Sequence, residues 1–451
     1  MEAAGHGVDF RDAARFWVKL GFINFGGPTG QIAIMHDELV NKRRWVSNGR
    51  FLHALNYCML LPGPEAQQLA IYIGWLLHKV HGGLVAGIAF VLPSFFIILG
   101  LSWLYAEHGD VGWVAGIFSG LAPAVIAIVA VATIRIGRTA LANGILVGVA
   151  VAAFAAIFLL HVPFPLIVLA AALIGLLGDR LRPSVFAAGV GRELEEHERI
   201  ALRDDAPPAE HTKPTARRVL TVLAVSLAAW LLPLALVAAI RGPADTLTEE
   251  AWFFSRAALV TFGGAYAVLS YINQAAVLQY GWLQPGQMVV GLGLAETTPG
   301  PLIMVVEFVG FVGAFQNPGG LSPLVAGLLG AAVATWATFA PCFLWIFLGA
   351  PYIERLRGNV RLAAALSAVT AAVVGVIANL GVSFAIATLF ERVGTIEVFG
   401  GLVPVPVWSS VIPFAVVVSV GAFVAMQRYR IGIVPVVAAS GLAGLVVNGL
   451  L

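Results

Sequence analysis

Charge is what this chain has least of. Of its 451 residues only 11% are charged, against 59% hydrophobic, where a soluble domain carries about 25% charged residues. That deficit is too large for a big soluble core and makes the chain an integral membrane protein. The formal net charge of +2 gives no electrostatic case for nucleic acid, and no basic stripe interleaved with aromatics occurs. Cysteine is nearly absent. Cys58 and Cys342 lie in apolar segments without a CxxC pair, which excludes a disulfide framework and leaves two core thiols. Catalytic signatures are missing too: there is no HExxH, GxSxG or Walker loop. The nine histidines do not fall at metal-ligand spacing, and His78 and His81 in HKVH read as a loop between helices. These absences argue against an enzyme, a cofactor or a metal centre and, with no ATP site, for secondary transport. The N-terminus lacks an early apolar run with a cleavage site and is expected to stay in the mature protein.

What is abundant is apolar sequence in lengths near the roughly 20 residues a spanning helix needs. Such windows pick out segments near 14–35, 51–77, 82–106, 112–134, 141–160, 162–178, 219–240, 252–271, 287–315, 320–348, 360–390, 402–426 and 431–450. The run 191–218 holds thirteen of the charged residues. Its Pro207, Pro208 and Pro214 argue against one continuous helix. The expected division is a first repeat over 1–178, a charged cytoplasmic linker over 179–218, a connecting helix over 219–240 and a second repeat over 241–451.

The two repeats are legible in landmarks. NFGGPTG begins at Asn24 and TFGGAYA at Thr261; LPGP and TPGP place their glycines at 63 and 300. The offset is 237 in each case, and it also carries Lys19 onto Arg256 and Trp45 onto Trp282. Further on the offset becomes 248, carrying Pro93 of LPSFF onto Pro341 of APCFL. Ordered matches of this kind mark a tandem duplication. The expected fold is an all-α polytopic membrane protein of about 12–13 transmembrane segments, in two inverted repeats with broken helices, as in many secondary transporters. With the N-terminus inside, most cationic clusters fall inside, but Lys42, Arg43 and Arg44 fall outside if the first segment spans. Either those cations serve an external vestibule or the FGG segment dips in and returns. The second option needs another re-entrant segment, perhaps at PGP, to keep the later topology.

The breaks carry the chemistry. A Gly-Gly pair lets a helix unwind and frees backbone N–H groups, which hydrocarbon cannot satisfy. Proline stops one helix and can open the next. Helices starting at Pro64 and Pro301 would aim amides and positive dipole ends at the break, which suits an anion. The candidate substrate-binding set is therefore Lys19, Asn24, Gly26, Gly27, Pro62, Gly63, Pro64, Gln67, Arg256, Gly263, Gly264, Thr297, Thr298, Pro299, Gly300 and Pro301. Glu307, Glu65 and Glu296 are the candidate ion-coupling acids, since an intramembrane carboxylate is a functional hypothesis by default. Each has a plainer alternative. Gly-Gly also permits close helix packing, and Lys19 and Arg256 can snorkel to the interface. Glu65 can cap its helix and Glu307 can join an ion pair. Gln67, Gln68, Thr297 and Thr298 can satisfy freed carbonyls, while His36 and Asp37 can mark the interface. The residues reach as far as a small oxyanion.

The chain resembles the chromate ion transporter family in its long, two-domain form. The resemblance rests on GFINFGGPTGQIAIMHDELV, RRWVSNGRF, LLPGPEAQQLAIYIGW and FVLPSFF, then on ALVTFGGAYAVL, GWLQPGQMVVGLGLAETTPGP and AVTAAVVGVIANL. It covers the chain apart from the linker and the final two spans. It implies a multi-pass protein of the bacterial cytoplasmic membrane that exports chromate, a tetrahedral dianion like sulfate, and confers chromate resistance. The direction and any proton coupling come from the resemblance alone. A sulfate or general oxyanion carrier is the alternative. The expected partners are the oxyanion and the bilayer, with a homodimer as a candidate assembly. One departure is FGGAYA, which lacks the proline of FGGPTG, so the two halves need not be equivalent.

Overall fold

The computed structural model describes residues 8–25, 27–59, 61–109, 111–181, 215–262, 265–284, 286–352, 360–398 and 401–449. Gly26, Gly263, Gly264 and the linker residues 182–214 lie outside the described residues.

Helix α1 (Phe10–Ile23) starts at Asp9, whose carboxylate accepts the Arg11 N–H, and buries one stripe, Ala13, Phe16, Trp17, Leu20 and Gly21. It stops at Asn24. Helix α2 (Gly27–His36), prolonged by a wider turn over Asp37–Lys42, leads back toward the level of Phe16. The Arg43 guanidinium ends 4.8 Å from the Phe16 ring and 5.0 Å from Trp45. The FGG segment is therefore a re-entrant hairpin, not a span. A second hairpin follows. Helix α3 (Asn48–Cys58), capped by Ser47, runs inward to Pro62-Gly63-Pro64, and α4 (Glu65–His108) leaves it. The first arm of α4 (65–77) returns to the starting face, where His78 Nε2 donates to the Val8 carbonyl at 3.0 Å. At His78 and Lys79 the helical dihedrals are lost, as expected of a loop at HKVH. The second arm (80–108) then descends past the hairpins, so close that a side chain on Gly74 would strike the Gly82 backbone.

Helices α5 (Gly112–Ala140), α6 (Gly144–Leu160), α7 (Phe164–Leu181) and α8 (Ala216–Arg241) alternate in direction. At Pro233, which lacks an N–H, the unpaired Ala229 carbonyl of α8 accepts Trp336 Nε1 at 3.1 Å. The sequence of elements then recurs. Helix α9 (Thr246–Val260) stops at Thr261, and α10 (Ala265–Gln274), with its turn Ala275–Gln279, runs back. The second half thus brings Tyr280 and Trp282 to Phe253, at 5.6 and 5.5 Å. Helix α11 (Gln287–Thr297) runs inward to Pro299-Gly300-Pro301, and α12 (Val305–Gln316) runs out. There Arg241 Nη2 holds Asp245 Oδ2 at 2.8 Å and the Gly319 carbonyl at 2.6 Å. Helices α13 (Pro323–Gly349), α14 (Val360–Leu389), α15 (Pro413–Arg428) and α16 (Ile433–Gly444) complete the chain. A two-stranded hairpin, β1 (Val393–Val398) and β2 (Gly401–Pro406), lies between α14 and α15. It shifts the offset again, so that α6 and α15 start at 144 and 413, and α7 and α16 at 164 and 433.

Of the thirteen apolar segments, four therefore turn back at an FGG or PGP break. The second arm of α4 with α5–α8 and α13–α16 passes between the faces. α4, α5, α8, α13 and the 364–389 part of α14 are long and apolar enough to cross a membrane, and α6, α7, α15 and α16 are shorter apolar helices. The halves also interlock. Helix α5 packs on α15 and α16, while α14 packs on α6 and α7. The contacts correspond: Gly444 sits against Gly116 and Gly120, Gly175 against Ala364 and Ala365. Small residues at such crossings let backbones approach where lipid offers no hydrophobic drive.

Candidate functional site

The four breaks meet in the interior, and they do so reciprocally. The Gly63 N–H donates to the Thr261 carbonyl at 2.8 Å, and the Gly300 N–H donates to the Asn24 carbonyl at 2.9 Å. Each PGP glycine thus closes on the FGG break of the other half. Both glycines need their freedom, with φ of +115° and +119°, a region side chains avoid. Opposite Gly63 stand the Gln68 amide and the Cys342 thiol; opposite Gly300 stands Ser94. Ser94 and Cys342 are themselves 248 positions apart.

Polar side chains gather here, all buried but Thr297, which is half-buried. Gln31 Nε2 donates to the Gly300 carbonyl, Gln68 Nε2 to the Pro62 carbonyl at 2.7 Å, and Gln67 Nε2 to the Gly87 carbonyl at 3.3 Å. Thr261 Oγ1 donates to Ala257 at 2.6 Å, and Thr297 and Thr298 bond carbonyls of their own helix. Each of these donors is taken up by a protein carbonyl. Asn24 differs. It is 0% exposed, and among the described residues neither its Nδ2 nor its Oδ1 has a partner. Ser94 Oγ, 1% exposed as a residue, is likewise unpartnered among them. A buried polar group left unpaired costs about 1–3 kcal/mol, so such groups in one place mark a site.

Two acids flank the crossing. Glu65 opens α4 behind Pro64. Glu296, 2% exposed, accepts the Tyr266 hydroxyl, and Arg135 acts electrostatically on the pair. Glu307 is buried in α12, with both oxygens unpartnered among the described residues. The sequence reading overlooked Glu250, which is equally buried and packs against Gly313 and Gly330; it was hidden beside Glu249 near a helix start. It also overlooked Gln31, Ser94 and Tyr266, whose signal is only their place in the repeat.

The two cations are not among the residues gathered at the crossing. Lys19 is exposed on α1 and acts on Glu38 at the rim. Arg256 is exposed on α9, with Nε on the Trp252 carbonyl at 3.2 Å and Nη2 on the Tyr280 hydroxyl at 3.3 Å. Both sit on a flank that also exposes Phe22 or Leu259.

The chromate transporter family matches residues 11–176 and 248–445, most of the chain. The chain belongs to the chromate transporter family. It is 30% identical to the chromate transport protein of Cupriavidus metallidurans over 81% of this chain and 80% of that one. To the chromate transport protein of Pseudomonas aeruginosa it is 32% identical over 96% and 91%, and to a probable chromate transport protein of Synechococcus elongatus 29% over 82% and 83%. No solved structure matches. The chromate transporter match reaches past the motifs legible in the sequence, for it takes in α15 and α16. It leaves out the linker and α8.

Proposed function

We propose that the chain carries chromate across the cytoplasmic membrane as a secondary transporter, outward, and so confers chromate resistance. The observation that carries this reading is the reciprocal crossing, a buried meeting of four helix breaks with unpartnered polar groups, in a member of the chromate transporter family. Two hairpin pairs entering from opposite faces support inverted repeats, and their exchange of bonds supports alternating access. Each Gly N–H···O=C bond can open as the halves rock, freeing an amide for an oxyanion oxygen. Lys19 and Arg256, one toward each face, draw the anion to the rim rather than hold it. Glu296, Glu307 and Glu65 serve as coupling acids. With the starting face inside, Lys42, Arg43 and Arg44 join the other inside clusters, as the positive-inside rule favours.

The test is uptake of labelled chromate into everted membrane vesicles holding the protein, with an imposed pH gradient. Saturable uptake responding to the gradient supports export. Uptake only into right-side-out vesicles reverses the direction, and equal uptake of sulfate makes the protein a general oxyanion carrier. Light scattering on the purified, detergent-solubilised protein reads the homodimer.

A further inference from the structure

The groups at the crossing are neutral. Asn24, Gln31, Gln67, Gln68, Ser94, Thr261 and Thr298 supply amides and hydroxyls, and no cation stands among them in the described residues. Arg135 has its charge set against Glu296. A dianion in such a place is costly, because the desolvation penalty grows with the square of the charge and a dianion suffers about four times that of a monoanion. Asn24 also offers an acceptor beside its donor. An oxyanion without a hydrogen cannot use that acceptor.

The two ends of the crossing differ further. At Gly63, the Gln68 amide and the Cys342 thiol fill the space a side chain would take, and Gln68 is bonded to Pro62. Its counterpart in the second half is Val305, and Thr261 is bonded to its own helix. That end is closed. At Gly300 the Asn24 amide and the Ser94 hydroxyl remain unpartnered among the described residues.

We infer that the crossing takes the oxyanion as its protonated monoanion, at the Gly300 end, with Asn24 accepting the ligand's hydrogen and donating to it and Ser94 donating a second bond. This rests on the transport reading and names the form of the substrate. Chromate takes up a proton near neutral pH, whereas selenate and sulfate, of the same shape, do so only in strong acid. The site therefore separates like-shaped anions by basicity. Among the titratable groups on the elements around it are Lys19 on α1, His36 on α2, Tyr57 and Cys58 on α3, Glu65, Tyr72 and Tyr105 on α4, Arg135 on α5, Tyr266 and Tyr271 on α10, Glu296 on α11, Glu307 on α12 and Cys342 on α13. Because pH acts on the protein as well as on the ligand, the deciding comparison holds pH fixed.

The experiment measures chromate flux at constant pH with selenate or arsenate as competitor. Arsenate, protonated at neutral pH, is expected to compete and selenate to fail. Above neutral pH, flux at fixed total chromate is expected to fall about tenfold per unit. Asn24→Leu and Ser94→Ala should each lower chromate affinity, Asn24→Leu by about tenfold to a hundredfold, while Cys342→Ala leaves it unchanged. Selenate competing as well as arsenate would overturn the monoanion and leave transport standing. Loss on Cys342→Ala with Ser94→Ala silent would overturn the choice of end. Absence of chromate flux in the unaltered protein at every pH would instead remove the transport reading.

Discussion

The two hairpin pairs share a backbone and differ in chemistry. Around the first stand the neutral amides Gln31, Gln67 and Gln68, with Glu65 as its one acid at the break; the amides' counterparts in the second are Val268, Met304 and Val305, and that of Glu65 is Leu302. Conversely, Glu250, Glu296 and Glu307 of the second stand where the first has Ala13, Met59 and Ala70. The rims diverge too. Arg43 stacks on Phe16 and Trp45 in the first half, whereas Tyr280 stacks on Trp282, 4.3 Å between centroids, in the second. What the backbone needs, glycine and proline at the breaks, thus recurs in both pairs, while the side chains around them differ. Like backbones with unlike side chains give the two ends of the crossing different chemistry.

The sharpest way to break the comparison is at the paired glycines. Gly300→Ala forces a side chain into the left-handed region and into Ser94, which together cost about 2–4 kcal/mol. Gly63→Ala meets only the ends of Gln68 and Cys342 and should cost less. Thermal melting of the detergent-solubilised variants ranks them, and equal losses would make the two ends equivalent. Next come the acids. Glu296→Gln is expected to cut flux by about tenfold or more with melting little changed, while Tyr266→Phe removes one hydrogen bond of about 0.5–1.5 kcal/mol. A Glu296→Gln protein that transports normally would leave that acid a structural role.

Smaller again is the rim. Arg43→Ala loses two cation–π contacts, about 1–2 kcal/mol together, and Tyr280→Phe loses only the bond from Arg256. The smallest effect is acid sensitivity confined to the first half. Lys42 bonds Glu38 at 2.9 Å and Asp37 at 2.8 Å and holds the Glu38 carboxyl below its ordinary value of 4.5, foremost through that hydrogen bond. A carboxylate lowered on folding contributes stability that is complete above its unfolded value and is lost as pH falls through the folded one. Acidification below about 4.5 should therefore loosen this rim, and Lys42→Gln should flatten that slope in a melting series against pH. The second rim, with Gln274, Ala275 and Gln279 at those places, should show no such slope.

The sequence by itself determined the class, the apolar segments, the recurring landmarks and the four breaks. Composition and the fixed conformational demands of glycine and proline act locally and leave their mark residue by residue. It left open whether a broken segment spans or returns, because two half-helices and one interrupted span have the same hydropathy. Tertiary contacts decided that, when Arg43 met Phe16 and His78 met Val8. They also separated Lys19 and Arg256 from the crossing and brought Asn24 and Ser94 to Gly300. Spacing along a chain places a residue on a helix, but which helices cross, and on which face, depends on close approach between segments hundreds of residues apart.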